Sequence, residues 1–130
     1  MTEASEPRAW AEHAEQDFAL ARAALKRKQP LVSGACFHAQ QCAEKYIKAL
    51  LLSKDAKFPK THDLLLLNNL CSANGIFLEI EPRQLNTLTD YAVRTRYPGD
   101  DPTLEDAKEA IELAKLVRDL AKKFLGLQMR

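Results

Sequence analysis

Apolar residues recur every three or four positions along most of this chain, which is the spacing of amphipathic helices. Runs that alternate apolar and polar residues, as half-buried strands do, are not found, and glycine occurs only 4 times. The pattern predicts five helices, at about residues 6–28, 31–53, 61–74, 82–97 and 103–125. Short connections between long amphipathic helices favour an all-α, up-and-down antiparallel bundle with a four-helix core.

The predicted helix ends rest on particular residues. Thr61 is expected to cap the third helix, with Asp63 in its first turn. Pro82 is expected to open the fourth helix, and Thr103 to cap the fifth. Residues 76–81, IFLEIE, form a short apolar connection that suits an extended conformation.

Composition narrows the class of protein. The 130 residues suit one domain, with a core over about residues 6–125. A net charge of +1 gives no global attraction to nucleic acids or membrane surfaces, so such binding would need a local patch. No apolar run approaches the ~20 residues that span a bilayer, and the acidic, polar start MTEASEPRAW is not a secretory signal.

The cysteines point to the compartment. The chain has three cysteines, Cys36, Cys42 and Cys71, which is an odd number, and they lack CxxC spacing. We therefore predict free, buried thiols in a reducing environment. We therefore expect a soluble cytoplasmic protein without a membrane segment, a metal or a cofactor.

The second predicted helix has two different sides when it is projected at about 100° per residue. Ala35, Ala39 and Ala43 lie on the apolar side, where their small side chains allow another helix to approach closely. The opposite side has Gln41, Lys45 and Lys48, with His38 at the boundary. These polar residues form either a solvated face or a polar interface, and both interpretations stay open.

Arg96 is the most informative charged residue in the sequence. Continuing the fourth helix places Arg96 in line with Leu85 on the inward face, whereas Arg94 points outward, four residues after Asp90. An inward arginine needs a partner, because an unpaired buried charge is very costly. Either the carboxylate of Glu44 or a bound anion satisfies this need, since arginine binds carboxylates and phosphates alike.

A second candidate for anion binding precedes the third helix. Lys60 and His62 lie where free N–H groups and the helix dipole favour anions, although Asp63 in the same turn also satisfies the dipole. The motifs GxGxxG, P-loop, HExxH and GxSxG are absent from the sequence. The three histidines, His13, His38 and His62, lack the spacing of metal ligands.

Several stretches, in order along the chain, resemble the HEPN domain family in its prokaryotic small-helical-bundle form. They lie between Trp10 and about Leu125, apart from one residue at the start, and are AWAEHAEQDFALARAAL, ACFHAQQCAEKYIKALLL, PKTHDLLLL, YAVRTRYPGD and DAKEAIELAKLVRDLAKKF. The resemblance implies a HEPN-like helical bundle that homodimerises and binds nucleotides or RNA. It also implies a minimal nucleotidyltransferase as partner, in a toxin–antitoxin-like pair.

The resemblance further implies roles for individual residues. Nucleotide or phosphate contacts fall on Lys60, His62, Arg94, Arg96 and Tyr97. A polar cleft or a dimer interface falls on His38, Gln41, Glu44 and Lys45.

One departure from the family bears on catalysis. RNase members of the wider family have an arginine followed, after four to six residues, by a histidine. The corresponding positions after Arg94 and Arg96 are all within residues 99–103, GDDPT, which contain no histidine. Without an imidazole to assist proton transfer, cleavage by that mechanism is not expected. Asp100 and Asp101 would also repel a phosphodiester.

Three functions therefore stay open on the sequence alone. The favoured one is a nucleotide- or nucleic-acid-binding partner of a nucleotidyltransferase. The second is an RNase toxin with a non-standard active site, built from Arg96 and Tyr97 or from a histidine elsewhere. The third is a structural dimer or adaptor in which the polar residues of the second helix form an interface.

Overall fold

The computed structural model describes residues 6–93 and 98–127, and these residues form five helices and no strand. The helices are α1 (Pro7–Lys26), α2 (Val32–Ser53), α3 (Leu64–Ala73), α4 (Pro82–Val93) and α5 (Leu104–Leu125). The prediction of an all-α bundle of five helices is confirmed. None of the helices in these two ranges has the length and apolarity that crossing a membrane requires.

Helix α2 is the centre of the bundle, because it contacts each of the other four helices. Helix α1 runs antiparallel to it: Trp10, near the start of α1, packs beside Lys48, near the end of α2. Helices α2 and α5 end on the same side, since the Nζ of Lys54 lies 5.5 Å from the ring centroid of Phe124. The short helix α3 packs against α2 and α4.

The core is built around α2, which contributes small buried residues and several large ones, and its neighbours add further large residues. Ala35, Ala39 and Ala43 are fully buried, as their spacing predicted. The largest fully buried apolar side chains include Tyr46, Ile47, Leu50, Leu51, Leu64, Leu67, Ile76, Leu85 and Leu88. Two large apolar side chains are nevertheless about half exposed, Leu31 at 51% and Phe124 at 46%. Both lie at helix ends, where fewer elements cover the bundle.

One predicted cap is wrong and another is confirmed. Asp63, not Thr61, caps α3, because its Oδ1 accepts the N–H of Leu66 at 3.2 Å. The hydroxyl of Thr61 instead accepts the N–H of Asp63. A carboxylate at this position also complements the helix dipole. At α5, Thr103 caps as predicted, in a reciprocal capping box with Asp106.

Candidate functional site

A buried carboxylate on α2 organises the segment that precedes α3. The side chain of Glu44 is only 5% exposed. It accepts hydrogen bonds from Lys48 Nζ at 2.9 Å, from Gln40 Nε2 at 3.1 Å and from His62 Nδ1 at 2.7 Å. We call these four residues the Glu44 cluster. Gln40 also donates to the backbone carbonyl of His62, at 3.2 Å, so both the ring and the backbone of His62 are fixed.

Lys48 corrects part of the sequence interpretation. It was placed on the polar side of α2, but its side chain is only 8% exposed. Its Nζ lies 5.6 Å from the ring centroid of Trp10 and 5.7 Å from that of Phe58. The two rings and Glu44 together stabilise the ammonium group away from water. Lys48 is therefore a buried, paired residue and is not part of a solvated face.

A second buried carboxylate, that of Asp17, lies between α1 and α2. The side chain of Asp17 is 8% exposed and accepts hydrogen bonds from His38 Nδ1 at 2.8 Å and from Lys45 Nζ at 2.7 Å. We call these three residues the Asp17 cluster. Gln41 Nε2 donates to Oε1 of Gln40 at 2.7 Å, so Gln41 is hydrogen-bonded to a member of the Glu44 cluster.

A third polar group joins α1, α2 and α5. Arg118 binds Glu15 through two parallel hydrogen bonds, Nε to Oε2 at 2.6 Å and Nη2 to Oε1 at 3.0 Å. The hydroxyl of Tyr46 also donates to Glu15, and Lys122 Nζ lies 3.6 Å from it. We call Glu15, Tyr46, Arg118 and Lys122 the Arg118 cluster. The guanidinium also lies over the ring of Phe18, 4.8 Å from its centroid.

The ionisable groups of the Arg118 cluster shift one another's pKa values. Burial alone would raise the pKa of the Glu15 carboxyl, but the hydrogen bonds from Arg118 and Tyr46 outweigh burial and lower that pKa below its usual value. The hydrogen bond to Glu15 raises the pKa of Arg118. Burial, with the acceptor Glu15, raises the pKa of the Tyr46 hydroxyl, so the tyrosine stays a neutral donor.

A comparison with known families identifies the domain. A model of the HEPN domain matches residues 7–124, which is most of the chain. The chain belongs to the HEPN domain family. Among solved structures it is similar to TT1696 from Thermus thermophilus, with 25% sequence identity and a TM-score of 0.72. That similarity covers 90% of this chain and 96% of the other. No curated protein sequence matches the chain significantly.

The predicted site residues of this HEPN domain fall into four groups: two polar clusters, one exposed lysine and three residues outside the described ranges. His38 and Lys45 lie together in the Asp17 cluster, and Glu44 and His62 in the Glu44 cluster, to which Gln41 is hydrogen-bonded. Lys60 is exposed on the segment before α3. Arg94, Arg96 and Tyr97 lie outside the described residues. For Arg96 the prediction left open either Glu44 or a bound anion as its partner. Within the described residues, Glu44 is hydrogen-bonded to Gln40, Lys48 and His62.

Sequence reasoning missed the carboxylates of α1 and the base of α5 that hold these clusters together. A signal for them was present. Asp17 lies between Ala14 and Ala21 on the inward face of α1, and Arg118 follows Val117 on the inward face of α5. An ionisable residue on an apolar face requires a partner. The identity of that partner is not encoded in the spacing, because Glu15 and Arg118 are separated by 103 positions.

The three cysteines are free and buried, as predicted, and the acidic turn lies beside a cleft. Cys36, Cys42 and Cys71 are free and buried, and burial raises the pKa of Cys36 and of Cys71 to about 12. Asp100 and Asp101 line a cleft of about 290 Å³ between α4 and the start of α5. Carboxylates dominate that lining, which is unfavourable for a phosphodiester.

Proposed function

We propose that this HEPN domain binds nucleotides or nucleic acid on the surface formed by α1, α2 and the segment before α3. The observation that supports the proposal most directly is the state of His62. Its side chain is 60% exposed, although its Nδ1 is held by a carboxylate that is only 5% exposed. A buried acceptor, held by hydrogen bonds beneath an exposed imidazole, is an arrangement by which proteins orient a ring toward a ligand.

The chemistry of this pair favours an anionic or hydroxyl-bearing ligand. An ionised carboxylate only accepts hydrogen bonds, so Nδ1 of His62 is the donor and Nε2 is left for a ligand. Nε2 accepts from a ribose hydroxyl when the ring is neutral, and donates to a phosphate oxygen when the ring is protonated. Lys60 lies two residues away, is exposed and forms no hydrogen bond or ion pair with the other described residues.

The Asp17 cluster presents a second imidazole in the same way. His38 is 31% exposed and Lys45 is 24% exposed, while the carboxylate that holds both is 8% exposed. His38 and Lys45 are therefore each paired with the buried carboxylate of Asp17, and part of each side chain stays accessible to a ligand. We propose that Arg94, Arg96 and Tyr97 add phosphate contacts to this surface. We further propose that the protein is a homodimer and the partner of a minimal nucleotidyltransferase in a toxin–antitoxin-like pair.

Thermal unfolding in the presence of ligands tests the binding proposal. The probes are ATP, other nucleotides and a short single-stranded RNA, each added to the wild type, to His62→Asn and to Arg96→Ala. A ligand at about a hundred times its Kd stabilises the folded state by about 2.7 kcal/mol, which raises the midpoint by several degrees. We expect a shift for the wild type and a much smaller one for both variants.

His13→Asn is the matched control for His62→Asn. His13 is an exposed histidine of α1 that makes no side-chain hydrogen bond or ion pair among the described residues. This variant should keep the full ligand shift. If no probe stabilises the wild type, or if His13→Asn loses the shift as completely as His62→Asn, binding at this surface is refuted.

The same carboxylate–imidazole pair supports RNA cleavage as a second candidate function. A histidine whose Nδ1 is held by a carboxylate is also the arrangement of a general base. An RNase of this kind would use His62 in place of the absent histidine of the Arg–His motif. Cleavage of a labelled RNA by the wild type, lost in His62→Asn and kept in His13→Asn, is the expected result for this function. Binding without cleavage by the wild type rules it out.

A further inference from the structure

An apolar row on α5 is only partly covered by the rest of the bundle. Leu116 is 44% exposed and Phe124 is 46% exposed, with Leu120 half-buried between them and Leu113 at the edge of the core. In a helix these four residues lie within about 80° of one another, next to the face that packs on α2. The row is therefore continuous over about three turns. Among the described residues, the other exposed large apolar side chains lie on other elements, except Leu104 at the start of α5.

The spacing of the row makes it complementary to itself. Leu116 and Leu120 are equally far from a midpoint near Arg118, and Leu113 and Phe124 share almost the same midpoint. When two copies of α5 pack antiparallel, Leu116 of each copy meets Leu120 of the other, and Leu113 meets Phe124. A two-fold axis through this midpoint then closes the contact as an isologous dimer.

The charges beside the row fit the same register. Glu112 and Lys123 lie on one flank of the row and also share a midpoint close to Arg118. Both side chains are exposed, and neither forms a hydrogen bond or an ion pair with another described residue. In the antiparallel arrangement, Glu112 of one copy faces Lys123 of the other on both sides of the axis. The other charged residues near the middle of α5, Lys115 and Asp119, already pair with each other at 3.3 Å.

We propose that α5 is a homodimer interface, in which the row Leu113, Leu116, Leu120 and Phe124 packs antiparallel against its copy and Glu112 pairs with Lys123 across the two-fold axis. This inference deepens the proposed homodimer by naming its surface and register, and it rests on that proposal. Opposite charges at a shared register set orientation and partner choice, while the apolar row supplies buried area.

Charge reversal tests the register directly. Lys123→Glu places two carboxylates opposite each other, and Glu112→Lys places two ammonium groups opposite each other, so each variant should raise the dimer Kd about tenfold or more. The double variant Glu112→Lys/Lys123→Glu restores opposite charges and should recover the wild-type Kd to within about threefold. Sedimentation equilibrium over a wide range of protein concentrations measures all four proteins.

Lys26→Glu is the matched control, because Lys26 is exposed at the end of α1 and its replacement makes the same change in net charge as Lys123→Glu. It should leave the dimer Kd unchanged. The proposal is overturned if the wild type is a monomer throughout, if neither single reversal weakens the dimer, if the double variant does not recover, or if Lys26→Glu weakens it equally.

Cross-linking gives a second, independent measurement. A Glu112→Cys/Lys123→Cys variant should form a covalent dimer on mild oxidation, and either single variant should not. The two positions are about 16 Å apart along one helix, too far for a disulfide within one copy, and the three native cysteines are buried. Nucleotide and RNA binding is measured separately, at His62, so a failed dimer interface and a failed ligand site give different results.

Discussion

The Arg118 cluster and the Glu44 cluster use similar groups in opposite ways. In the Arg118 cluster the base is buried, with Arg118 at 6% exposure, and the carboxylate of Glu15 lies toward the surface at 36%. In the Glu44 cluster the carboxylate is buried at 5% and the imidazole of His62 is exposed at 60%. The first arrangement joins three helices and directs its bonds inward. The second fixes a ring from below and leaves one ring nitrogen for the solvent.

The difference shows how burial separates a structural ion pair from a candidate binding residue. Arg118 donates to Glu15 through Nε and Nη2 and to Asp119 through Nη1, so few of its donors are left for a ligand. The imidazole of His62 contributes one hydrogen bond to the fold, through Nδ1, and leaves Nε2 for a second one to a ligand. Removal of Arg118 should therefore cost stability, and removal of His62 should cost binding. The three predictions below test this comparison.

The largest effect is expected for Arg118→Met, which removes the guanidinium but keeps much of the side-chain volume. It leaves Glu15 without its bidentate partner and removes the contact with Phe18, so the free energy of unfolding should fall by about 3 kcal/mol. Urea denaturation measures the change. A loss below about 1 kcal/mol would show that this cluster contributes no more than an ordinary surface ion pair.

A smaller, pH-dependent effect is expected for Glu15→Gln. The folded-state pKa of Glu15 lies below its ordinary value of 4.5, so the ion pair stabilises the protein above that value. This stabilisation is lost as the pH falls through the lowered pKa, because Glu15 then takes up a proton in the folded state too. The Glu15 side chain is 36% exposed, so water screens the pair, and at neutral pH the variant should be less stable than the wild type by about 1.5 kcal/mol.

The difference between wild type and Glu15→Gln should therefore shrink as the pH is lowered from about 5 to about 3. Urea denaturation of both proteins at a series of pH values measures this difference. All other carboxylates are common to the two proteins, so their contribution cancels. A difference that stays constant over this range, or grows, would contradict the lowered pKa.

The smallest effect on stability is expected for His62→Asn. The imidazole is largely in solvent, so its loss should lower the free energy of unfolding by about 1 kcal/mol or less. Denaturation of His62→Asn and the control His13→Asn side by side measures this cost. A loss as large as that of Arg118→Met would make His62 a structural residue, and the comparison between the two clusters would fail.

The helices and the family resemblance could be predicted from the sequence because both depend on which residues lie close together along the chain. A period of three to four apolar residues predicts a helix wherever it occurs, and Thr103 with Asp106 is a capping box within a single turn. The exception at α3 is also local: Thr61 and Asp63 are both good caps two residues apart, and only the chain path selects Asp63.

The sequence by itself determined five helices, their apolar faces and a set of polar residues on α2. Only the tertiary structure decided which of those residues are exposed and which are buried. Lys45 and Lys48 look equivalent on the helix, yet Trp10 and Phe58 cover Lys48, while Lys45 reaches Asp17 near the surface. Burial and ion pairing depend on residues brought together from distant positions, as Glu15 and Arg118 are, and no local spacing encodes them.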